Sequence, residues 1–175
     1  MHIIVLLTGL GSSFPLVGWF LTRWATKLKK RINKKYENRN DVMVIVASSD
    51  GRGEQAAHDF IRNEFISGKI KTLTIVGHSN GFREGLKMAA NISPNSVDYL
   101  AGIDMTLGEF GAMATNNIKR FHEFHAMLET ADFAPDFDKR KHKYWPINKG
   151  HTAAASDKFV QDKIFNTINS TIEGS

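Results

Sequence analysis

The sequence predicts an α/β fold, a three-layer sandwich in which helices cover both faces of a mainly parallel sheet of about five strands. Apolar runs of strand length alternate with amphipathic helical segments along the chain, and this alternation is typical of parallel strands joined by right-handed crossovers. No Pro-, Gly- or Ser-rich stretch separates parts of different composition. We therefore expect the 175 residues to form a single domain, 1–175.

In the first half of the chain, strands and helices follow one another regularly. Buried strands are predicted for three short apolar runs without central charges, at residues 3–8, 42–47 and 70–76. Two longer segments with helical periodicity lie between these runs, at residues 15–36 and 54–66. A third helix is predicted after the third strand, because its apolar residues recur at helical spacing, at positions 82, 86, 89 and 90.

The second half of the chain is less regular. Residues 97–103 predict a fourth strand that ends at Asp104. Residues 119–127 predict a fifth, although histidines and charges dilute its apolar pattern. A polar and aromatic loop then leads to His151 and to a final helix over residues 156–172. The apolar side of this helix is expected to contain Phe159, Ile164, Phe165 and Ile168.

The composition excludes some classes of function. The chain has no cysteine, which excludes disulfides and thiolate chemistry. Residues 1–21 carry no Lys, Arg, Asp or Glu, but the apolar run 3–7 has only the length of a strand and the Gly, Ser and Pro of residues 8–15 break it. We therefore expect neither a signal peptide nor a membrane anchor, and a cytoplasmic protein.

The formal net charge of +5 comes largely from two clusters, which occupy residues 27–35 and 139–143. In the first cluster, apolar residues step by four along one face of the predicted helix while basic residues occupy the other faces. We interpret this basic helix as a solvated amphipathic helix. The alternative is that it binds nucleic acid or an anionic surface, but no binding motif accompanies the charge.

The most informative motif is Gly77-His-Ser79-Asn-Gly81, between the third strand and the helix after it. A serine at the tip of a sharp strand-to-helix turn presents its hydroxyl clear of the sheet, and the strained backbone tolerates only small residues two positions away on either side. The helix directs its first free amides to where an oxyanion would form. The motif therefore predicts a nucleophilic Ser79.

A serine nucleophile needs a base, and the base needs an acceptor that fixes its tautomer. Asp104 closes the next strand after that of Ser79, and His151 stands in the loop before the last helix, which gives the chain order Ser, Asp, His expected of this architecture. Because parallel strands share an edge at their carboxyl ends, Thr8, Ser79 and Asp104 are expected to be gathered there. Alternative acids are Asp132, Asp136 and Glu109, and the alternative base is His142.

Two backbone amides are expected to form the oxyanion hole. One belongs to Asn80, directly after the serine, and the other to Leu10 in the loop 8–11, whose glycines allow close approach of the backbone. His78 also adjoins the serine, but it is expected to point to the opposite side and to act in packing or in anchoring a loop.

A metal site is a further possibility at His122-Glu-Phe-His125. This segment is one residue short of the His-Glu-x-x-His pattern, and on a strand its two histidines face opposite sides. We therefore expect no metal there.

Together these segments resemble the α/β-hydrolase superfamily, especially its small lipase, esterase and thioesterase-like members, over nearly the whole chain. The matching segments are residues 7–11, 77–81, 97–104 and 150–151 with the helix after them. The resemblance implies a triad of Ser79, Asp104 and His151, acyl-enzyme chemistry and no cofactor. Two departures are that Thr8-Gly9 replaces the usual His-Gly and that the chain begins at what would be the family's third strand, so a reduced sheet is expected.

The predicted activity is that of a serine esterase or lipase-like hydrolase, which cleaves a carboxylic ester or thioester of a small molecule. Residues 105–117 and 130–146 can form only a modest cap. Candidates from these segments to line an acyl pocket include Met105, Phe110 and Trp145, although such side chains also serve as core. Two alternatives stay open: an acyltransferase that uses the same triad, and a non-catalytic binding protein built on the same fold.

Overall fold

The computed structural model describes residues 1–9, 15–49, 52–92, 96–104, 117–126 and 141–175, without the side chains of residues 15–21 and 52. The strands in these ranges are β1 (His2–Thr8), β2 (Val42–Ser48), β3 (Thr72–His78), β4 (Tyr99–Ile103), β5 (Phe121–Ala126) and β6 (His142–Ile147). The helices are α1 (Pro15–Lys35), α2 (Arg52–Ile66), α3 (Asn80–Ala90), α4 (His151–Ser156) and α5 (Lys158–Glu173).

The strands form one sheet in the order β2-β1-β3-β4-β5-β6, and every pairing in it is parallel. The chain moves from β1 outward to β2 and then crosses back to β3 on the other side of β1. The strand order therefore reverses at β1 and β3, and the loops after these two strands lie side by side at the carboxyl edge. Crevices for ligands form at such reversal points in open α/β sheets.

The sheet is buried on both faces, as the continuous apolar strands predict. Ile4 and Leu6 of β1 pack with α1, α4 and α5 on one face. Ile3, Val5 and Leu7 pack with α2 and α3 on the other. All residues of β1, β3 and β4 are buried, so the three-layer architecture expected from the sequence is confirmed.

Helix α1 buries the stripe that its four-residue spacing predicts. Trp24, Leu28, Ile32 and Tyr36 are all buried against the sheet, whereas Lys27, Lys30, Lys34 and Lys35 are exposed. Within the described ranges, no helix combines the length and the apolarity needed to cross a bilayer.

The sheet has six strands in the described residues, one more than the sequence predicted. The additional strand, β6, lies in the segment that was expected to be a loop. It occupies the edge of the sheet, and its Lys143, Tyr144 and Pro146 are exposed. Lysine and proline are tolerated on edge strands but weaken the apolar pattern by which a strand is recognised.

The predicted final helix, residues 156–172, corresponds to α5, and a further short helix, α4, precedes it in the segment that was expected to be a loop. The Asp157 carboxylate accepts hydrogen bonds from the backbone N–H groups of Phe159, at 2.8 Å, and Val160, at 3.4 Å, and so caps α5. His151 is therefore the first residue of α4 and not a loop residue. Phe159 is 44% exposed, so its expected place on the apolar side is wrong. The buried side of α5 includes Val160, Ile164, Ile168 and Ile172.

Candidate active site

Ser79 occupies the sharp turn between β3 and α3. Its φ of 56° and ψ of −130° lie outside the regions that L-residues favour, so the backbone there is strained. A Cβ on Gly77 would lie 2.3 Å from the Cα of Phe82, and a Cβ on Gly81 would lie 2.3 Å from the carbonyl oxygen of Leu7. Since backbone atoms block both positions, the requirement for small residues on either side of the serine is confirmed.

The loop after β1 closes on Ser79 from the neighbouring strand. A Cβ built on Gly9 would stand 3.1 Å from the Ser79 Cβ and 3.5 Å from its Oγ. Backbone of this loop thus lies beside the serine, as an oxyanion hole requires. Leu10, the predicted donor from the loop, is outside the described residues, whereas Asn80 is the first residue of α3 and has its amide among those at the helix start.

Asp104 follows β4 directly, at the same edge of the sheet. Its φ of 42° is positive, and its backbone N–H donates to the carbonyl of Phe124 at 2.6 Å. The Ala126 N–H donates to Oδ1 of the carboxylate at 2.8 Å. Strand β5 therefore fixes both the backbone and one carboxylate oxygen of Asp104, and its other oxygen, Oδ2, bonds Nδ1 of His151 at 2.5 Å.

The protonation of this pair follows from the surroundings of Asp104. Burial raises the pKa of its carboxyl, but the hydrogen bonds from His151 and from the Ala126 amide, with the electrostatic influence of His151 and His125, leave that pKa below its usual value. An ionised carboxylate only accepts hydrogen bonds, so Nδ1–H of His151 is the donor. In the neutral ring the lone pair is then on Nε2, the nitrogen from which a histidine acts as a base.

His78 links this pair to the strand that carries the serine. Its Nε2–H donates to the backbone carbonyl of His151 at 3.1 Å, and the centres of the two rings are 4.8 Å apart. Burial, followed by the electrostatic influence of His151, lowers the pKa of His78 to about 4, so the ring is neutral at pH 7. His78 therefore holds the start of α4 beside the turn at Ser79, which agrees with its expected role as a loop anchor.

The residues predicted to line the acyl pocket are described only in part. Met105 and Phe110 are outside the described residues, as are the alternative acids Glu109, Asp132 and Asp136. Trp145 stacks on Phe124 with ring centres 5.1 Å apart. It lines a groove beside α5 whose lining, among the described residues, lacks Ser79, Asp104 and His151. Contact between Trp145 and an acyl chain stays a prediction.

A buried His-Glu-His cluster on β5 and β6 is a feature that was not predicted from the sequence. Glu123 is fully buried and accepts hydrogen bonds from Nε2 of His125 and, at 2.8 Å, from Nε2 of His142. His142, which the sequence left as the alternative to His151 as the base, is thus hydrogen-bonded to Glu123. The signal in the sequence was the acidic residue inside an otherwise buried strand, since such a carboxylate needs a partner.

We expect Glu123→Gln to lower the free energy of unfolding at neutral pH by about 1.5–3 kcal/mol, because hydrogen bonds to a charged group are lost. Burial raises the pKa of Glu123, but the bonds from His125 and His142 outweigh burial and lower it below its usual 4.5. A carboxylate whose pKa falls on folding stabilises the fold above its unfolded pKa, and this stabilisation is lost as the pH decreases below that value. Urea denaturation should show that the wild type and Glu123→Gln differ less in their free energy of unfolding at about pH 4 than at about pH 7. An equal difference at both pH values would contradict the prediction.

The two histidines of the metal alternative lie on opposite faces of β5. His122 bonds the Tyr99 hydroxyl through Nδ1 at 3.1 Å, whereas His125 bonds Glu123 and stacks against Tyr144. In the part of the chain that the structure describes, no group of three or more His, Cys, Asp or Glu side chains is arranged to hold a metal ion.

Comparisons with known proteins show which solved structures share this fold. No protein-family model matches the sequence, and no curated protein matches it. Among solved structures, the esterase domain of a Rhodothermus marinus protein matches with a TM-score of 0.60 and 10% identity, over 97% of this chain and 84% of that domain. A protein assigned to the α/β hydrolase superfamily from Xanthomonas campestris pv. campestris matches with a TM-score of 0.59 and 14% identity, over 97% of this chain and 98% of the other.

A third match is the NocB thioesterase domain from the nocardicin cluster, with a TM-score of 0.54 and 13% identity, over 98% of this chain and 94% of that domain. At these sequence identities the matches show a similarity of fold alone. The chain has an α/β-hydrolase fold, with a serine on the turn after its third strand. The resemblance seen in the sequence is thus confirmed at the level of architecture.

Proposed function

We propose that this protein is a serine hydrolase that cleaves a carboxylic ester or thioester of a small molecule through an acyl-enzyme intermediate. The observation that carries the proposal is the hydrogen bond from His151 Nδ1 to Asp104, held by His78 next to the strained turn of Ser79. A serine at such a turn and a histidine whose tautomer a carboxylate fixes, bonded to the residue that precedes the serine, are the parts that acyl transfer requires.

In the first half of the reaction, Nε2 of His151 takes the proton of the Ser79 hydroxyl as Oγ attacks the carbonyl carbon of the substrate. The carbonyl oxygen becomes an oxyanion, which the amides of Asn80 and Leu10 would stabilise. Asp104 stabilises the imidazolium that forms. When the tetrahedral intermediate collapses, the bond to the leaving group breaks, and His151 returns the proton to the departing alcohol or thiol.

In the second half, water replaces the leaving group. His151 takes one proton from the water as its oxygen attacks the acyl carbon, and the ester bond to Ser79 then breaks. The proton passes to Ser79 Oγ, and the products are a carboxylic acid and the regenerated enzyme. Every proton transfer is made by His151, so the cycle requires no cofactor.

Covalent labelling tests the proposal directly. A fluorophosphonate probe should form one adduct, located by mass spectrometry on the peptide that contains Ser79, because the probe reacts with serines activated by a base. Denatured protein is the control and should not react. An intact protein that stays unlabelled would favour the non-catalytic scaffold, and an adduct on another residue would refute Ser79 as the nucleophile.

Product analysis separates hydrolysis from acyl transfer. With an activated ester in buffer, the expected product is the free acid. If the addition of small alcohols or amines diverts most of the acyl group to them while the rate of ester consumption is unchanged, the acyltransferase alternative is the better description.

A further inference from the structure

A groove rich in basic side chains runs between α5 and the face of β5 and β6, away from the candidate active site. It has a volume of about 1020 Å³. We name it the basic groove, after six cationic side chains of the described residues that line it, Lys119, Arg120, Lys141, Lys143, Lys158 and Lys163. It includes part of the basic cluster at residues 139–143, to which the proposed function assigns no role.

Most of this positive charge is not neutralised by ion pairs. Lys119 pairs with Asp98 at 2.7 Å and Lys158 pairs with Asp162 at 2.6 Å. Among the described residues, none of the other four has a carboxylate within 4.0 Å. Four uncompensated cations along one groove create a positive potential, which attracts anions.

Sheet geometry brings these cations to one place. Arg120 directly precedes β5 and lines the groove together with His122. Side chains two residues apart on a strand share a face, so Lys143 lies on the face of Trp145. The β5–β6 register pairs His122 with Lys143. On the opposite wall, Lys163 of α5 has its Nζ 5.6 Å from the centre of the Trp145 ring.

The effect of nearby charges on His122 also indicates that these cations lie close together. Burial lowers the pKa of His122, and the positive charges of Arg120, Lys143 and Lys163 lower it further, to about 3. Arg120, which precedes β5, Lys143 of β6 and Lys163 of α5 therefore all act on a single ring. Ser170 and Asn166 of α5, which also line the groove, add neutral hydrogen-bonding groups.

The acidic residues of the groove limit the size of the anion that fits. Asp157 caps α5, and Asp162 accepts from Arg31 at 2.5 Å as well as from Lys158. Asp157 precedes α5 and Asp162 lies in its first half beside Lys163, so the described cations of the groove without a carboxylate partner are Arg120, Lys141, Lys143 and Lys163. A long polyanion would have to pass the two carboxylates, whereas a compact dianion would not.

We propose that the basic groove binds a small phosphorylated ligand, whose phosphomonoester group is held by Arg120, Lys143 and Lys163. A phosphate dianion offers three acceptor oxygens to donors that approach from different directions, and charge-assisted hydrogen bonds of this kind are the strong ones. The proposal does not depend on the proposed esterase chemistry, because the described lining of the basic groove does not include Ser79, Asp104 or His151.

Calorimetric titration of the full chain at low salt tests the proposal, with inorganic phosphate, phenyl phosphate and a single-stranded oligonucleotide as probes. Phosphate and phenyl phosphate should bind, and Lys143→Glu and Lys163→Glu should each weaken binding by about tenfold or more. The matched control is Lys27→Glu, which makes the same change in net charge on an exposed position of α1 outside the groove. It should leave the affinity within about twofold.

Fluorophosphonate labelling should be the same in all three variants, which checks their folding through the other site. If one groove variant fails to fold, the other carries the test. The proposal is overturned if the wild-type chain shows no binding of phenyl phosphate up to about 10 mM, or if Lys27→Glu weakens binding as much as the groove variants do. It is also overturned if the oligonucleotide binds more tightly than phenyl phosphate through the same lysines.

Discussion

Ser79→Ala should lower kcat for ester hydrolysis by about 10⁴-fold or more and leave the fold intact. The hydroxyl is the group to which the acyl chain would be attached, so its removal eliminates the covalent route and leaves at most the effect of the oxyanion donors. The fold should persist because the side chain of Ser79 makes no cap hydrogen bond to α3. Alanine keeps the Cβ that the turn already accommodates.

The measurement is the steady-state hydrolysis of an activated ester, with the unfolding midpoint in urea as a check of the fold. The matched control is Ser67→Ala, which removes a hydroxyl at an exposed site after α2, where it bonds the carbonyl of Glu64. This control should keep full activity. Undiminished turnover in Ser79→Ala would show that another group performs the reaction and that the proposed function is wrong.

Gly81→Ala should produce the largest loss of stability among these variants, about 3 kcal/mol or more. The new Cβ would lie 2.3 Å from the carbonyl oxygen of Leu7 and 2.9 Å from that of Thr8. Both obstacles are backbone atoms of β1, so no side-chain rotation relieves the clash. The helix α3 and the strand β1 would have to separate, and the contact between Gly9 and Ser79 would be lost with them.

Gly53→Ala is the control for this prediction. Gly53 lies in the first turn of α2, and a Cβ there would have its nearest neighbour, the Ser48 backbone nitrogen, at 3.7 Å, an ordinary contact. Alanine also favours the helix. The midpoint of urea unfolding should therefore fall sharply for Gly81→Ala and should not fall for Gly53→Ala. Equal stability of both variants would mean that the close packing of α3 on β1 is not needed.

The sequence was most informative where a feature of the fold depends on a short local pattern of residues or on the order of elements. The alternation of apolar runs and helical stripes predicted the layers, and the two glycines around Ser79 predicted a turn that the structure confirms. Asp104 and His151 were chosen from chain order, and their side chains are hydrogen-bonded to each other. Each of these predictions used signals carried by a few neighbouring residues or by the order of elements.

The features that the sequence did not reveal depend on tertiary contacts. Strand β6 is recognisable only by its pairing with β5, because its exposed Lys143 and Pro146 resemble a loop. The bond from His142 to Glu123 joins residues of two different strands, β6 and β5, which no spacing along the chain encodes. The basic groove likewise needs the positions of β5, β6 and α5 together. Local patterns contain no information about such long-range neighbours.

The parallel order of the strands also has a consequence for how the candidate active site assembles. Neighbouring strands of the sheet are separated along the chain by a helix or a long connecting segment. Most contacts within the sheet therefore join residues that are distant in sequence, and folding is expected to be slow. Gly9, Ser79, Asp104 and His151 come from four such separate regions. A growing or truncated chain is therefore expected to assemble no partial version of the candidate active site, and the proposed activity is expected only when the C-terminal helices have docked.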